Sequence, residues 1–284
     1  MRRPLTWLDV FTSTPLAGNQ LAVVHEADGL DDATMLAFAR EMGLSETTFV
    51  QRAGRPGADY RNRIFTTSGE LPFAGHPSLG TAVAVAHARG ERRARFVQET
   101  VAGLQPIEVE LDGDRATAAM LQEPPSFGPE PPPADVFAAA GLDAADSHPR
   151  LPPQVVSTGV PHLLAPVREA GALGRVVPSR AALQALLEPL GATVLYLVDV
   201  DSASGTARAR GFFLDPIGFT EDPATGSAAG PLLAYLHERA GAVELVIEQG
   251  IEMGRPSRIE CRWEDDRPRV SGGVVVIAEG HVSL

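Results

Sequence analysis

Lysine is missing from this sequence of 284 residues, in which all 24 basic residues are arginines. Without lysine the chain cannot form a Schiff base, which excludes pyridoxal-phosphate chemistry and aldolases of the lysine type. A phosphate-binding P-loop needs Gly-Lys-Ser/Thr and is excluded for the same reason.

Cysteine is nearly absent, since Cys261 is the single one. The chain therefore has no intrachain disulfide and no pair of catalytic thiols. Gly-x-Gly-x-x-Gly, His-Glu-x-x-His and clustered Cys and His residues are missing too. We accordingly expect no cofactor and no metal site.

Long apolar runs are also lacking, and no stretch approaches the ~18 residues of a membrane-spanning helix. The N-terminal M-R-R-P-L-T-W-L-D has no apolar region of the signal-peptide kind. Both observations favour a cytoplasmic protein without a membrane partner. A net charge of −12 argues against nucleic acid, whose binders carry basic patches. The net negative charge is compatible with a small anionic metabolite as ligand, because the hydrogen-bond donors that line a pocket can outweigh the charge of the whole chain.

What the sequence does contain is a motif written twice, as E-L-P-F-A-G-H at 70–76 and E-D-P-A-T-G-S at 221–227. Three further segments match in the same order. They pair 18–24 with 159–167, 43–50 with 191–198, and 63–65 with 210–213. Four matches in one order predict a duplicated architecture.

The proline-rich segment 122–133 cannot continue a helix or a central strand, so we predict a linker there. The predicted domains are 1–121 and 134–272, and the C-terminal strand 273–284 could join the first. Helices are expected at 32–42, 76–89, 134–140, 179–188 and 226–239. Strands are expected at 5–11, 20–24, 46–52, 60–66, 106–111, 116–121, 155–167, 193–199, 207–214, 244–248, 257–263 and 273–278.

Two of these helices, 76–89 and 226–239, consist mostly of small and apolar residues, which is typical of buried helices. Each half then reads as strands around one central helix, an α+β fold. Gly75 and Gly226 open these helices and allow close backbone approach. The free N–H groups of a helix start form an anion site. The alternative is that both motifs only cap their helices.

The halves differ where chemistry would require it. Glu46 corresponds to Val194, His76 to Ser227, and Leu71 to Asp222. Glu46, His76, Asp222 and Ser227 would supply a carboxylate with a burial-raised pKa and neighbours that position a substrate. The alternative for Glu46 is a solvent-facing strand residue.

Several of the chain's longest motifs resemble the PhzF phenazine-biosynthesis-like proteins. They are L-D-V-F-T-S-T-P-L-A-G-N-Q-L-A-V-V (8–24), L-S-E-T-T-F-V (44–50), F-T-T-S-G-E-L-P-F-A-G-H-P-S-L-G-T-A (65–82), E-D-P-A-T-G-S-A-A-G-P-L (221–232) and Q-G-I-E-M-G-R-P-S (249–257). The resemblance implies two pseudo-symmetric domains of diaminopimelate-epimerase-like fold, each a β-barrel wrapped around a central helix, with the active site between them. It also implies a homodimer. Related epimerases use two thiols, which A-G-H-P and A-T-G-S lack here.

The family resemblance implies a role for each site residue. Glu46 would take a proton from an acidic C–H and return it to another carbon, while His76 and Asp222 orient or assist. Ser227 and the backbone donors at Gly75 and Gly226 would hold polar substrate groups. One departure is G-N-Q at 18–20 in place of the common G-N-P, which we interpret as a local turn change.

The sequence thus predicts a cofactor-independent isomerase that moves a proton within a small carboxylate-bearing substrate, cyclic or not, at an interdomain cleft. Two alternatives are a non-catalytic binding or interaction protein on the same fold, and a hydrolase built on Ser227, His76 and Asp222. The hydrolase is weakened because G-S-A-A-G is not the Gly-x-Ser-x-Gly elbow. The motifs do not identify the natural substrate.

Overall fold

The computed structural model describes residues 1–215 and 218–284. The chain divides into two compact units. The first unit comprises Met1–Leu121 and Ser271–Leu284, and the second comprises Gln122–Val270. Within the predicted linker 122–133, Ser126–Phe127 forms a short strand.

The first unit is built from strands that surround one buried helix. Its helices are α1 (Asp32–Met42) and α2 (Gly75–Arg89), and its strands are β1 (Arg2–Val10), β2 (Asn19–Val24), β3 (Thr47–Gln51), β4 (Tyr60–Phe65), β5 (Glu70–Leu71), β6 (Arg93–Thr100), β7 (Gly103–Asp112) and β8 (Arg115–Leu121).

The second unit repeats this plan. Its helices are α3 (Pro133–Ala139), α4 (Arg180–Leu190) and α5 (Gly226–Ala240), and its strands are β9 (Ser126–Phe127), β10 (Gln154–Ser157), β11 (Pro161–Pro166), β12 (Val194–Asp201), β13 (Thr206–Asp215), β14 (Gly218–Asp222), β15 (Glu244–Gln249), β16 (Ser257–Glu264) and the start of β17 (Arg267–Ser283). From Val274 onward, β17 pairs antiparallel with β1 of the first unit.

The internal repeat extends to strand register. β2 and β3 are parallel with Ala22 opposite Thr47, and β11 and β12 are parallel with Leu163 opposite Leu195. Phe65 faces Glu70 across the β4–β5 pair. Phe212 faces Glu221 in the same way across β13–β14. The matched sequence segments therefore occupy matched places in two similar units, as predicted.

Small residues let the central helices sit deep in the strands. Every residue of α2 from Gly75 to Ala86 is buried. A Cβ on Gly80 would lie 2.5 Å from Leu21 Cδ2, and one on Gly230 in α5 would lie 1.8 Å from Gln122 Oε1. Neither glycine could carry a side chain without displacing its neighbour.

Two predicted strand assignments need correction. The strand expected at 155–167 is a hairpin, because Gly159 has φ +130° and the chain reverses between β10 and β11. The strands β5, β6, β9 and β14 were not predicted. β3 begins at Thr47, so Glu46 lies immediately before the strand instead of within it.

The longest helices of the described residues are α2 and α5, and neither they nor any other described helix has the length and apolar character needed to cross a membrane.

Candidate active site

The first unit brings Glu46 and His76 together. Glu46 precedes β3, and His76 is the second residue of α2. Glu46 Oε2 lies 3.6 Å from His76 Nε2, and the two side chains are 16% and 5% exposed. This distance is long for a hydrogen bond and within the range of an ion pair when His76 is protonated. Glu46 is therefore not the solvent-facing residue of the alternative interpretation.

Burial sets the ionisation of Glu46. It raises the pKa of this carboxyl from 4.5 to about 7, and a contact with the Ser45 hydroxyl opposes the rise. Glu46 Oε2 is buried and accepts no hydrogen bond from the described residues. A carboxyl in this state exchanges a proton readily near neutral pH.

Asn19 completes this half of the site and was not singled out by the sequence analysis. Its side chain is 2% exposed, and Nδ2 lies 3.3 Å from His76 Nδ1. Asn19 Oδ1 accepts from Ser45 Oγ at 3.3 Å. With Nδ1 serving as acceptor, the Nε2–H of His76 faces Glu46. The G-N-Q turn thus supplies a residue that orients the imidazole.

The second unit places Asp222 and Ser227 on either side of the start of α5. Thr225 Oγ1 donates to Asp222 Oδ2 at 2.7 Å. Ser227 Oγ lies 3.1 Å from Nε2 of His162, a residue of β11. Gly226 is the first residue of α5, and its carbonyl accepts from Gln122 Nε2 at 2.9 Å.

Gln249, at the end of β15, holds the loop that carries Asp222. Its Nε2 donates to the Asp222 carbonyl at 2.6 Å and to Thr225 Oγ1 at 2.9 Å. Its Oε1 accepts from the Thr225 amide at 3.0 Å and from the Tyr196 hydroxyl at 2.9 Å. Because Gln249 is 1% exposed, this network fixes the loop and, through Thr225, the Asp222 carboxylate.

His162 lies in the matched segment 159–167 but was not identified as a site residue from the sequence. Its side chain is 1% exposed. Burial lowers its pKa from 6.5 to about 3, with a smaller opposing effect from Ser227. A buried histidine in a strand usually signals packing, and only the contact with Ser227 distinguishes it.

The glutamates of the repeated motif have a structural role. Glu70 accepts from Arg63 Nε and Nη2 at 2.5 and 2.7 Å. Glu221 accepts from the same two atoms of Arg210, both at 2.8 Å. Each pair joins neighbouring strands just before a central helix. The motif thus combines a bidentate ion pair with a glycine that opens the helix.

Neither central helix is capped by the residue that precedes it. Ala74 and Thr225, which precede α2 and α5, make no side-chain cap hydrogen bond. These two residues therefore give no support to the alternative that the motifs serve only as caps. Within the described ranges 1–215 and 218–284, no group of three or more His, Cys, Asp or Glu side chains could hold a metal ion.

Comparisons with known proteins agree over nearly the whole length. The family model PhzC-PhzF, described as phenazine biosynthesis-like protein, matches residues 8–280. A trans-2,3-dihydro-3-hydroxyanthranilate isomerase of Pseudomonas aeruginosa is 37% identical over 286 residues, covering 98% of each chain.

Solved structures extend the likeness to the fold. A protein described as a predicted epimerase from Pseudomonas aeruginosa has a TM-score of 0.87 at 39% identity and covers 99% of both chains. A structure described as a probable proline racemase from Agrobacterium radiobacter has a TM-score of 0.64 at 16% identity, covering 99% of this chain and 93% of its own. The α+β epimerase-like fold expected from the sequence is confirmed.

Proposed function

Because the chain belongs to the PhzC-PhzF family of phenazine biosynthesis-like proteins, we propose that it moves a proton within a small carboxylate-bearing substrate without a cofactor. It is an isomerase, as its relatives are. We propose the proton shift, the residues that catalyse it and the interdomain cleft in which these residues meet.

The observation that carries the proposal is the buried carboxyl of Glu46, whose pKa is about 7. Glu46 takes a proton from an acidic C–H, and the electron pair of that bond enters the conjugated system. The protonated carboxyl exchanges its proton with water and then gives a proton to another carbon, where a C–H bond forms. Substrate and product have the same composition, and Glu46 ends as it began. A pKa near neutrality suits both halves of such a transfer.

The remaining groups hold the substrate. His76 and Asp222 orient it or assist, and Ser227 with the amides at the starts of α2 and α5 binds its polar groups. Ala74 and Thr225 make no side-chain cap bond at these helix starts, which supports this role because N–H groups at the positive end of a helix dipole attract carboxylates. These groups act on one substrate if the cleft between the units brings together Glu46, Gly75, His76, Asp222, Gly226 and Ser227.

The hydrolase alternative loses support from the contacts of Ser227. Its histidine partner is His162, whose Nδ1 is buried without a hydrogen-bond partner among the described residues. A nucleophilic triad needs a carboxylate at that nitrogen to orient the imidazole and stabilise its charged form. A pKa of about 3 also makes His162 a poor base near neutral pH.

The Pseudomonas aeruginosa relative is named for trans-2,3-dihydro-3-hydroxyanthranilate, which makes this cyclic carboxylate the first compound to test. We also propose a cytoplasmic homodimer, as the family resemblance implies. Light scattering coupled to size exclusion would measure the mass of the assembly against the 30.0 kDa of one chain.

The decisive experiment follows turnover of this compound in deuterated water by wild type and Glu46→Gln. We expect the wild type to isomerise it and to place deuterium on the receiving carbon. Glu46→Gln should be slower by roughly 10²–10⁴-fold, the usual contribution of a general acid or base. Glu41→Gln, at an exposed glutamate near the end of α1, is the control and should retain activity. A fully active Glu46→Gln would rule out the assigned role.

A further inference from the structure

His162 lies in apolar surroundings with one polar contact. It sits in β11 opposite Val156 of β10 and Val194 of β12. Its Nε2 is 3.1 Å from Ser227 Oγ. Its Nδ1 is buried and has no hydrogen-bond partner among the described residues. Nε2 is therefore the ring nitrogen through which His162 can affect the site, by its hydrogen bond with Ser227.

The lowered pKa of His162 is caused by burial and opposed only by a hydrogen bond with the Ser227 backbone, with no contribution from a charged side chain. The imidazole is therefore neutral near pH 7, and a neutral imidazole carries one N–H. That proton is either on Nδ1, which has no acceptor, or on Nε2, which faces Ser227. Buried N–H groups without an acceptor are rarer than buried acceptors without a donor. The structure thus favours the proton on Nε2.

The position of this proton decides what Ser227 can do. A serine hydroxyl has one proton to donate and lone pairs to accept. If Nε2 accepted from Ser227, the serine proton would be used inside the protein. If Nε2–H donates to Ser227 Oγ, the serine proton stays available for an anionic group.

We propose that His162 is a positioning residue, which as the Nε2–H tautomer donates to Ser227 Oγ and so turns the Ser227 hydroxyl proton toward the substrate carboxylate. The inference rests on the proposed function in one respect, the role of Ser227 in substrate binding. In this role the imidazole of His162 stays neutral and acts only by donating a hydrogen bond to Ser227.

The tautomer can be measured without any substrate. In ¹⁵N-histidine-labelled wild type at pH 7, the His162 ring should show a protonated Nε2 and an unprotonated Nδ1. The signal is assigned by its loss in His162→Gln, and His281→Gln, at an exposed residue, serves as the control. A proton on Nδ1, or a doubly protonated ring at pH 7, would overturn the proposal even if the enzyme has another substrate.

Kinetics test the link to the substrate. With trans-2,3-dihydro-3-hydroxyanthranilate, His162→Leu and Ser227→Ala should each raise KM about tenfold, as expected for one lost charge-assisted hydrogen bond. kcat should change little. The double variant should be no worse than either single variant, because both remove one interaction.

The conservative variant separates positioning from packing. The side-chain amide of His162→Gln can still donate to Ser227, so its KM should stay nearer to wild type than that of His162→Leu. Equal KM values for wild type, His162→Leu and Ser227→Ala would overturn the role of the pair. Absence of turnover by the wild type would count against the proposed function, and the tautomer would still be decided by the labelled protein.

Discussion

Glu46 shows how one side chain can be costly to the fold and useful to the chemistry. The unfolded chain exposes it to water with a pKa of 4.5, whereas burial in the folded protein raises that pKa to about 7. Between these values the folded state binds a proton that the unfolded state has released. The free energy of unfolding therefore falls as pH rises through this window, by linkage.

The loss of stability caused by ionising Glu46 in the folded protein can be measured without knowing the substrate. Glu46→Gln cannot ionise, so its stability relative to wild type should be greater at pH 8 than at pH 5. We expect the difference to grow by on the order of 1–3 kcal/mol between these pH values. Denaturant unfolding at both pH values measures it, with Glu41→Gln as the control. An unchanged difference would show that the pKa of Glu46 is not raised.

The residue scale also shows where sequence reasoning reaches its limit. Glu46, His76, Asp222 and Ser227 could be proposed because they break the match between the two halves or extend a repeated motif. Asn19 and His162 gave no such signal, although each contacts one of these residues. Their roles depend on the packing of α2 against β2 and of α5 against β11, which no local pattern reveals.

At the scale of elements, helices were easier to predict than strands. α1 was expected at 32–42 and occupies those residues, because Asp31 caps its start and Gly43 ends it in the left-handed conformation. β6 was missed because three of its four buried residues are polar. Gln98 bonds Asn62 and Gln105, and Glu99 accepts from the amides of Gly54 and Arg55. Such contacts conceal the apolar alternation on which strand prediction depends.

The two arginine–glutamate pairs explain why the motif glutamate recurs. Arg63 and Arg210 side chains are only 9% and 11% exposed, and each guanidinium also lies 5.3 or 5.0 Å from the ring of Phe65 or Phe212. Loss of either carboxylate would leave a largely buried cation without its bidentate partner. The motif glutamate is therefore a stability element next to the site and has no part in the proposed chemistry.

We expect Glu70→Gln and Glu221→Gln each to lower the free energy of unfolding by about 1–3 kcal/mol. Glu244→Gln is the matched control, since its ion pair with Arg262 is 64–65% exposed and should contribute less than about 1 kcal/mol. Chemical denaturation of the three variants and wild type tests this. If Glu70→Gln and Glu221→Gln lower the free energy of unfolding no more than the control does, the two ion pairs do not stabilise the fold as inferred.

For the whole molecule, the duplicated architecture could be predicted because the matching segments occur in the same order in both halves of the sequence. Gly18, Glu70 and Gly75 recur as Gly159, Glu221 and Gly226. The structure repeats the strand pairing around them. The sequence predicted only that the C-terminal strand 273–284 could join the first unit, and the structure assigns Ser271–Leu284 to that unit. β1 pairs with β17 from Arg2 opposite Ser283 to Val10 opposite Val274, a contact between segments more than 260 residues apart that has no local signature.

This long-range pairing leads to a prediction about a chain that ends at Val270. Without residues 271–284, β1 keeps β2 but loses β17, and the core cluster that includes Val24 and Met35 loses its contacts with Val282 and Leu284. Hydrogen exchange should then accelerate by about 100-fold or more at the β1 amides that β17 had protected. The second unit provides the internal control.

Amides of β12 in the second unit should keep their protection, because β12 pairs with β11 and β13 and none of its strand partners is removed. The second unit is one continuous segment, Gln122–Val270, whereas the first depends on residues made last. Uniform loss of protection in β1 and β12 would show that the units unfold as one cooperative body. Unchanged exchange in β1 would show that β17 is dispensable to the first unit.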